Sequence, residues 1–338
     1  MDHLRILRDI RSGEIAPIYA LMGEEPYFID QITQVLEDEL LTEAEKAFNL
    51  TVVYGRDVSM DQVISSAKAF PMMGERQVLV VREAQAMADW KKSENLSALE
   101  HYAGNPQPST VLVFAFKGKK MDGRSKAVKK LKTTGVWFES PRLKEARIPG
   151  WVKQYTEDHG YAITDKASYL LAEFLGTDLS KLSNELDKLM ILVPKGAEIT
   201  PDEIEKNIGI SKDYNIFELQ RALSVKDVTK ANRIVNYFLA NPKIHPLQMV
   251  IPVLYSYFSK LLVYSTLKDK SSANVAKVLR IPPFVVGDYA KAGQLYPYGK
   301  LRRIIGYLRE MDRKVKGIDV DKMETDALMR EMIFKTLH

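Results

Sequence analysis

The sequence of 338 residues contains no cysteine and only five histidines. The absence of cysteine excludes a disulfide scaffold, a thiolate zinc site and a cysteine nucleophile. The histidines are scattered, with no pair four residues apart, and neither a His-Glu-x-x-His nor a Gly-x-Ser-x-Gly motif is present. The residue types therefore carry no enzyme signature, and we expect no metal and no cofactor.

Long apolar runs are also absent. The longest are residues 111–116 and 251–255, far below the roughly 20 residues that a membrane-spanning helix needs. The first 14 positions mix acidic and basic residues and contain no apolar h-region, unlike a secretory signal peptide. We expect a soluble cytoplasmic protein that has no membrane partner.

Charge is distributed unevenly along the chain, although the net charge is only +5. Residues 1–210 carry 27 Lys and Arg against 32 Asp and Glu, whereas residues 211–338 carry 22 against 12. Within the acidic first part, residues 117–147 hold 11 basic and 3 acidic side chains. Local basic patches attract polyanions, although a solvated lysine-rich surface would give the same pattern.

Short apolar segments alternate with helical ones over the first 140 residues. They are β-branched or aromatic and are bounded by Gly, Pro or charged residues, which is typical of buried strands. The predicted strands are 17–22, 50–54, 77–81, 110–116 and 136–139, and the predicted helices are 27–41, 60–70, 96–102 and 124–131. Buried strands that alternate with helices indicate a mostly parallel sheet, and hence an α/β domain over residues 1–140.

Helical periodicity replaces the strand pattern after Pro141. Segments 148–159, 164–175 and 178–192 are helical, and Thr200-Pro201 is a typical helix start. They predict a small helical domain over residues 141–210. From there to residue 338 the apolar residues recur at three- and four-residue steps, which predicts a third, all-helical and basic domain over residues 211–338.

An α/β domain followed by a small helical domain is the layout of many nucleotide hydrolases, so the turn after the first strand must be tested for phosphate binding. That turn is Gly23-Glu24-Glu25-Pro26, without the Gly-Lys-Ser/Thr sequence of a P-loop. Its two acidic residues would repel a triphosphate. The strand 78–81 also leads into Arg82 and Glu83, so the Asp that would hold Mg²⁺ is absent. The turn is therefore a degenerate P-loop position, and ATP hydrolysis by this chain is disfavoured.

The segment after the second predicted helix has the composition of a contact loop. Pro71 stops the helix and Gly74 frees the backbone, so Phe70, Met72 and Met73 are expected at a helix tip. Flexible, polarisable methionines suit apolar pockets on a partner. The alternative is that these three side chains pack back onto the sheet.

Four segments together resemble the delta subunits of bacterial DNA polymerase III clamp loaders, and the resemblance covers nearly the whole chain. The segments are Tyr19–Pro26, Phe70–Val81, Gly176–Leu189 and Leu308–Gly317. The resemblance implies an AAA+-like α/β domain with a parallel sheet that does not bind ATP, a small helical lid domain and an all-α collar domain. It implies a replication protein within the DNA polymerase III holoenzyme, a nucleotidyltransferase assembly, with no ATPase motif of its own.

The same resemblance assigns partners and a binding loop. The implied partners are the β sliding clamp, loader subunits of the gamma/tau and delta-prime types that bind through the C-terminal domain, and primer-template DNA. Carried over by position, Phe70, Pro71, Met72 and Met73 would bind the clamp and help to open it. The family often has Leu-Phe or Phe-Phe where this chain has Met72-Met73.

A weaker hypothesis assigns DNA phosphates to the basic segment. Its candidate residues are Lys117, Lys119, Lys120, Arg124, Lys126, Lys129 and Lys130. Two other functions stay open from the sequence: an active ATPase of the same architecture, and a DNA-binding module that acts alone. A nucleotide-binding assay tests the first. Mixing the chain with a sliding clamp on a sizing column tests the second, because a module that acts alone would bind DNA and not the clamp.

Overall fold

A computed structural model describes residues 2–90, 92–211, 213–318 and 325–338. The chain divides into two compact units, Met1–Glu145 and Ala146–His338. The first unit corresponds to the α/β domain expected over residues 1–140. The second unit contains both helical segments that the sequence separates at residue 210, and that separation stays a prediction.

The first unit is built on a five-stranded parallel sheet with the strand order β2-β3-β4-β1-β5. The strands are β1 (Ile18–Gly23), β2 (Leu50–Tyr54), β3 (Gln77–Arg82), β4 (Thr110–Lys117) and β5 (Val136–Ser140). All five predicted strands are confirmed to within one residue at either end. Strands β1, β3 and β4 are almost wholly buried, as expected for the interior strands of a sheet covered on both faces.

Six α-helices surround this sheet. They are α1 (His3–Arg11), α2 (Pro26–Asp38), α3 (Glu43–Asn49), α4 (Met60–Lys68), α5 (Ser93–Gly104) and α6 (Lys126–Thr134). The sequence did not predict α1 and α3. Helix α1 buries only two residues, and α3 is a polar helix of seven residues that begins with a capping box between Thr42 and Glu45. Neither helix has the long apolar stripe on which the other predictions rest.

The second unit is almost entirely helical. Its helices are α7 (Ile148–Asp158), α8 (Asp165–Leu175), α9 (Leu179–Leu192), α10 (Pro201–Ile208), α11 (Ile216–Ser224), α12 (Val228–Ala240), α13 (Leu247–Thr266), α14 (Ser272–Leu279), α15 (Val286–Leu295), α16 (Tyr298–Val315) and α17 (Thr325–Leu337). The expectation that strands end at Pro141 is wrong in one detail. Ala162–Ile163 (β6) pairs in parallel with Glu198–Ile199 (β7). A two-residue strand is too short to produce a sequence pattern.

Among the described residues one helix, α13, is long and apolar enough to span a membrane by length and composition, with a mean hydropathy of 1.2. Eight of its side chains, from Leu247 to Tyr264, are buried in the core of the helical unit. Its apolar character is therefore accounted for by packing against neighbouring helices, chiefly α16.

Gly135 supplies a sharp test of the sheet, because the backbone of β1 lies very close to it. A Cβ at this position would lie 2.3 Å from the Ile18 carbonyl oxygen. Backbone cannot yield as a flexible side chain does, so Gly135→Ala should lower the free energy of unfolding by about 2 kcal/mol or more. Chemical denaturation measures the change.

The matched control is Gly150→Ala, in helix α7. Nothing lies within 4 Å of a Cβ at Gly150, so alanine should raise stability slightly, by roughly 0.5–1 kcal/mol. Equal effects of the two substitutions would contradict the close approach at Gly135.

Candidate protein-binding loop and basic surface

The segment between α4 and β3 displays the three apolar side chains that the sequence singles out. Phe70 is 78% exposed, Met72 82% and Met73 50%, whereas Pro71 is half-buried. The alternative in which these side chains pack back onto the sheet is not what the structure shows. We call residues 70–73 the apolar loop.

Helix α4 ends at Lys68, two residues before the predicted end. Phe70 precedes a proline, and such a position disfavours helical backbone. Gln77 then fixes the helix end, because its side-chain nitrogen donates to the carbonyls of Ser66 (3.3 Å) and Ala69 (2.7 Å). These two hydrogen bonds tie the start of β3 to the end of α4, the two elements that the apolar loop connects.

Asn49, which sequence reasoning missed, holds the backbone of the apolar loop. It is the last residue of α3 and is 2% exposed. Its side-chain oxygen accepts from the amides of Met72 (3.0 Å) and Met73 (3.4 Å), and its side-chain nitrogen donates to the Met73 carbonyl. The two residues are 23 and 24 positions away, so no local pattern marks Asn49. The loop thus has a fixed backbone and free side chains.

The degenerate P-loop position lies at the carboxyl end of β1. Gly23 has φ +143°, and a Cβ there would lie 2.0 Å from the Ser140 carbonyl oxygen. Glu25 is buried and caps α2, because its carboxylate accepts from the Tyr27 amide (3.2 Å). Pro26 follows as the first helical residue and has no amide hydrogen to offer. The chain's own carboxylate thus occupies the helix N-terminus where a phosphate would be expected.

Acidic neighbours neutralise three of the seven candidate DNA-binding residues. Lys117 pairs with Asp30 (2.6 Å), Lys120 with Glu139 (2.8 Å), and Arg124 with Asp122 (2.8 Å). The hydrogen bond from Lys120 and a second from Trp137 hold the pKa of the Glu139 carboxyl below its usual value. These cations already have anionic partners, so their attraction for a polyanion is weakened.

The other four candidates are exposed lysines with no acidic partner in the part of the chain that the structure describes: Lys119, Lys126, Lys129 and Lys130. Three of them lie on α6 at positions i, i+3 and i+4, which share one helix face. The opposite face of α6 buries Ala127, Val128 and Leu131. Three of the four unpartnered candidate lysines therefore lie on one face of α6.

We predict that Asn49→Ala loosens the apolar loop while the fold persists. The amides of Met72 and Met73 lose their shared acceptor, which costs about 0.5–1.5 kcal/mol for each hydrogen bond, and they should exchange their hydrogens faster. Hydrogen exchange followed by mass spectrometry measures this. Asn95→Ala, which removes bonds to Asp89 instead, is the control and should leave peptides covering residues 70–76 unchanged. Unchanged exchange in Asn49→Ala would contradict the anchoring role.

Family models match both ends of the chain. The model "DNA polymerase III, delta subunit" matches residues 19–140, and "DNA polymerase III delta subunit, C-terminal domain" matches residues 213–334. DNA polymerase III subunit delta of Bacillus subtilis is 28% identical over 323 residues, which cover 94% of this chain and 92% of that protein. The probable delta subunit of Aquifex aeolicus is 24% identical over 259 residues, covering 75% and 72%.

The solved structure of the Bacillus subtilis DNA clamp loader delta protein is also similar. The two chains are 25% identical, each is covered to 99%, and the TM-score is 0.58. The resemblance inferred from the four sequence segments is confirmed, and so is the fold class of an α/β domain with a parallel sheet followed by a helical region. This chain belongs to the family of DNA polymerase III delta subunits, which are subunits of the clamp loader of DNA replication.

Proposed function

We propose that this delta subunit binds the β sliding clamp through Phe70, Pro71, Met72 and Met73, and helps to hold the ring open for loading onto primed DNA. The observation that carries the proposal is the exposure of three large apolar side chains on a loop whose backbone is fixed. Water-exposed apolar side chains gain free energy when a partner covers them, and a fixed backbone lowers the entropy lost on binding.

The proposed grip also supplies a mechanism for ring opening. A ligand shifts a conformational equilibrium only by the difference between its affinities for the two states. The apolar loop must therefore fit the open clamp better than the closed clamp. ATP hydrolysis belongs to partner subunits in this mechanism, because the Glu25 carboxylate caps α2 at the degenerate P-loop position.

The proposed setting is the bacterial cytoplasm, with gamma/tau and delta-prime type subunits bound through the C-terminal domain. Co-elution of this chain with the sliding clamp on a sizing column would support this function. An isolated chain that binds DNA tightly and does not bind the clamp would favour a DNA-binding module that acts alone, and nucleotide binding by the isolated chain would favour an active ATPase.

We predict that the double substitution Met72→Ala with Met73→Ala weakens binding to the clamp about a hundredfold. Each truncation removes about 1.5 kcal/mol of apolar burial, and a loss of about 3 kcal/mol corresponds to that factor. Surface plasmon resonance with immobilised clamp measures the affinity. Ile191→Ala removes a side chain that is equally exposed, in helix α9, and should bind as the unmodified chain does. Unchanged affinity of the double variant would overturn the proposal.

We further propose that the free lysines of α6 contact phosphates of the primer-template. Contacts of this kind are independent of base sequence, and each one adds to the salt dependence of binding. The proposal now rests on Lys126, Lys129 and Lys130, together with Lys119, because the other three candidates have acidic partners.

Charge reversal at Lys126 and Lys129 tests this second proposal. The double Lys→Glu variant should lose affinity for duplex DNA, and the slope of log affinity against log salt should become shallower by about 2. Fluorescence anisotropy over a salt series gives both values. Reversal of the exposed residues Lys181 and Lys195 changes the net charge equally and is the control. Equal affinities and equal salt slopes in the two double variants would contradict the proposed phosphate contacts.

A further inference from the structure

Glu173, near the end of helix α8, carries a carboxylate that the fold leaves without a partner. Both of its carboxylate oxygens are buried, and neither has a hydrogen-bond partner in the described ranges of the chain. Burial raises the pKa of this carboxyl from 4.5 to about 8. A buried acceptor without a donor costs free energy, so its retention calls for an explanation.

Glu173 is one of the residues that line an open groove of the second unit, which we call the Glu173 groove. Helix α8 contributes Leu170, Glu173 and Phe174, and the start of α11 contributes Asn215 and Ile216. The segment between α12 and α13 adds Ile244 and His245, and α13 adds Met249, Val250 and Val253. The cavity measures about 90 Å³, which is room for several atoms of a ligand.

Among the described residues, no cation lies within hydrogen-bond distance of the Glu173 carboxylate. On α8 itself, Asp165 pairs with Lys153 of α7, and Lys166 is held by Glu218 of α11 at 2.9 Å. The groove residues of α11 and α13 have no titratable side chain. His245 is the other titratable group of the groove, and burial lowers its pKa, so its ring is neutral at pH 7.

We propose that the Glu173 groove binds an arginine side chain, flanked by apolar residues, from a segment of a partner protein. The guanidinium fits because it presents two parallel N–H donors, which match a carboxylate whose two oxygens both lack donors. A lysine ammonium is a strongly hydrated point charge and would leave one oxygen unmet. The groove suits a protein segment because Phe174, Ile244 and Met249, which line it, are exposed and offer apolar contacts to the residues that flank an arginine.

The proposal predicts a pH dependence with a definite sign. The arginine binds the ionised carboxylate, so a proton must leave Glu173 when it binds. Below the pKa of about 8, affinity should therefore rise about tenfold for each pH unit, and it should level off above that value. Neutral His245 does not contribute a charge to this titration at pH 7 and above.

The same carboxyl gives an independent check on the free protein. Its pKa is higher in the folded than in the unfolded chain, so the folded state holds the extra proton between pH 4.5 and 8 and loses stability as pH rises. Glu173→Gln has no proton to lose. Its melting temperature should exceed that of the unmodified chain by a margin that grows from pH 5 to pH 8. A constant margin would contradict the buried, protonated carboxyl.

Binding is tested on the full chain with the blocked tripeptide acetyl-Leu-Arg-Leu-amide and its neutral counterpart containing citrulline. Methyl NMR signals of Ile244 and Met249 report occupancy of the groove at pH 8.5. We expect the citrulline peptide to bind at least tenfold more weakly than the arginine peptide, and Glu173→Gln to abolish the difference. Glu157→Gln, at an exposed residue of α7, is the matched control and should retain the preference for the arginine peptide over the citrulline peptide.

Two further measurements identify the occupant. Butylguanidinium should bind at least tenfold more weakly than the arginine peptide, and Met249→Ala should weaken the peptide more than butylguanidinium. Equal affinities for the arginine and citrulline peptides, or an arginine preference that survives Glu173→Gln, would overturn the proposal. Butylguanidinium that binds as tightly as the peptide would indicate a small-molecule site and would also overturn it. Because the groove and the apolar loop use different residues, these outcomes are independent of clamp binding.

Discussion

The hydrogen bonds of one buried amide side chain govern the loop on which the proposed function depends. Asn49 presents an acceptor to two successive amides and a donor to a carbonyl, so the backbone of the apolar loop meets fixed partners at residues 72 and 73. A carboxylate could not donate and an aliphatic side chain could do neither. Exposed methionines would otherwise tend to collapse onto the nearest apolar surface. The hydrogen bonds of Asn49 therefore hold the loop backbone in place, and the apolar side chains of Met72 and Met73 stay exposed.

Glu25 and Glu173 illustrate opposite outcomes for a carboxylate inside a protein. Glu25 caps α2, because its carboxylate accepts from the Tyr27 amide. At this degenerate P-loop position, a carboxylate of the chain itself therefore occupies the helix N-terminus. In the part of the chain that the structure describes, neither a helix N-terminus nor a cation donates a hydrogen bond to Glu173. The first arrangement stabilises the isolated chain. The second destabilises it at neutral pH, and only an external donor removes that cost.

Sequence patterns predicted the sheet well because its strands are continuous apolar runs between turn residues, as in Thr110–Lys117. They predicted the apolar loop because Pro71 and Gly74 interrupt a helix next to exposed methionines. They did not reveal Asn49 or Glu173, whose importance depends on residues distant in sequence that only the tertiary fold brings together. Helix α3 was missed for a local reason, since a polar helix of seven residues has no apolar stripe and is held by its capping box.

The basic segment shows why counts of charge overstate a binding surface. Residues 117–147 have a large positive excess, yet Lys117, Lys120 and Arg124 each lie against a carboxylate. One of these partners, Asp30, belongs to helix α2, far from the segment in sequence, so the neutralisation is a tertiary effect. Of the four candidate lysines without an acidic partner in the described residues, three lie on one face of α6, and the opposite face buries Ala127, Val128 and Leu131. Because those apolar contacts orient the helix, the core of the first unit determines where its free positive charge points.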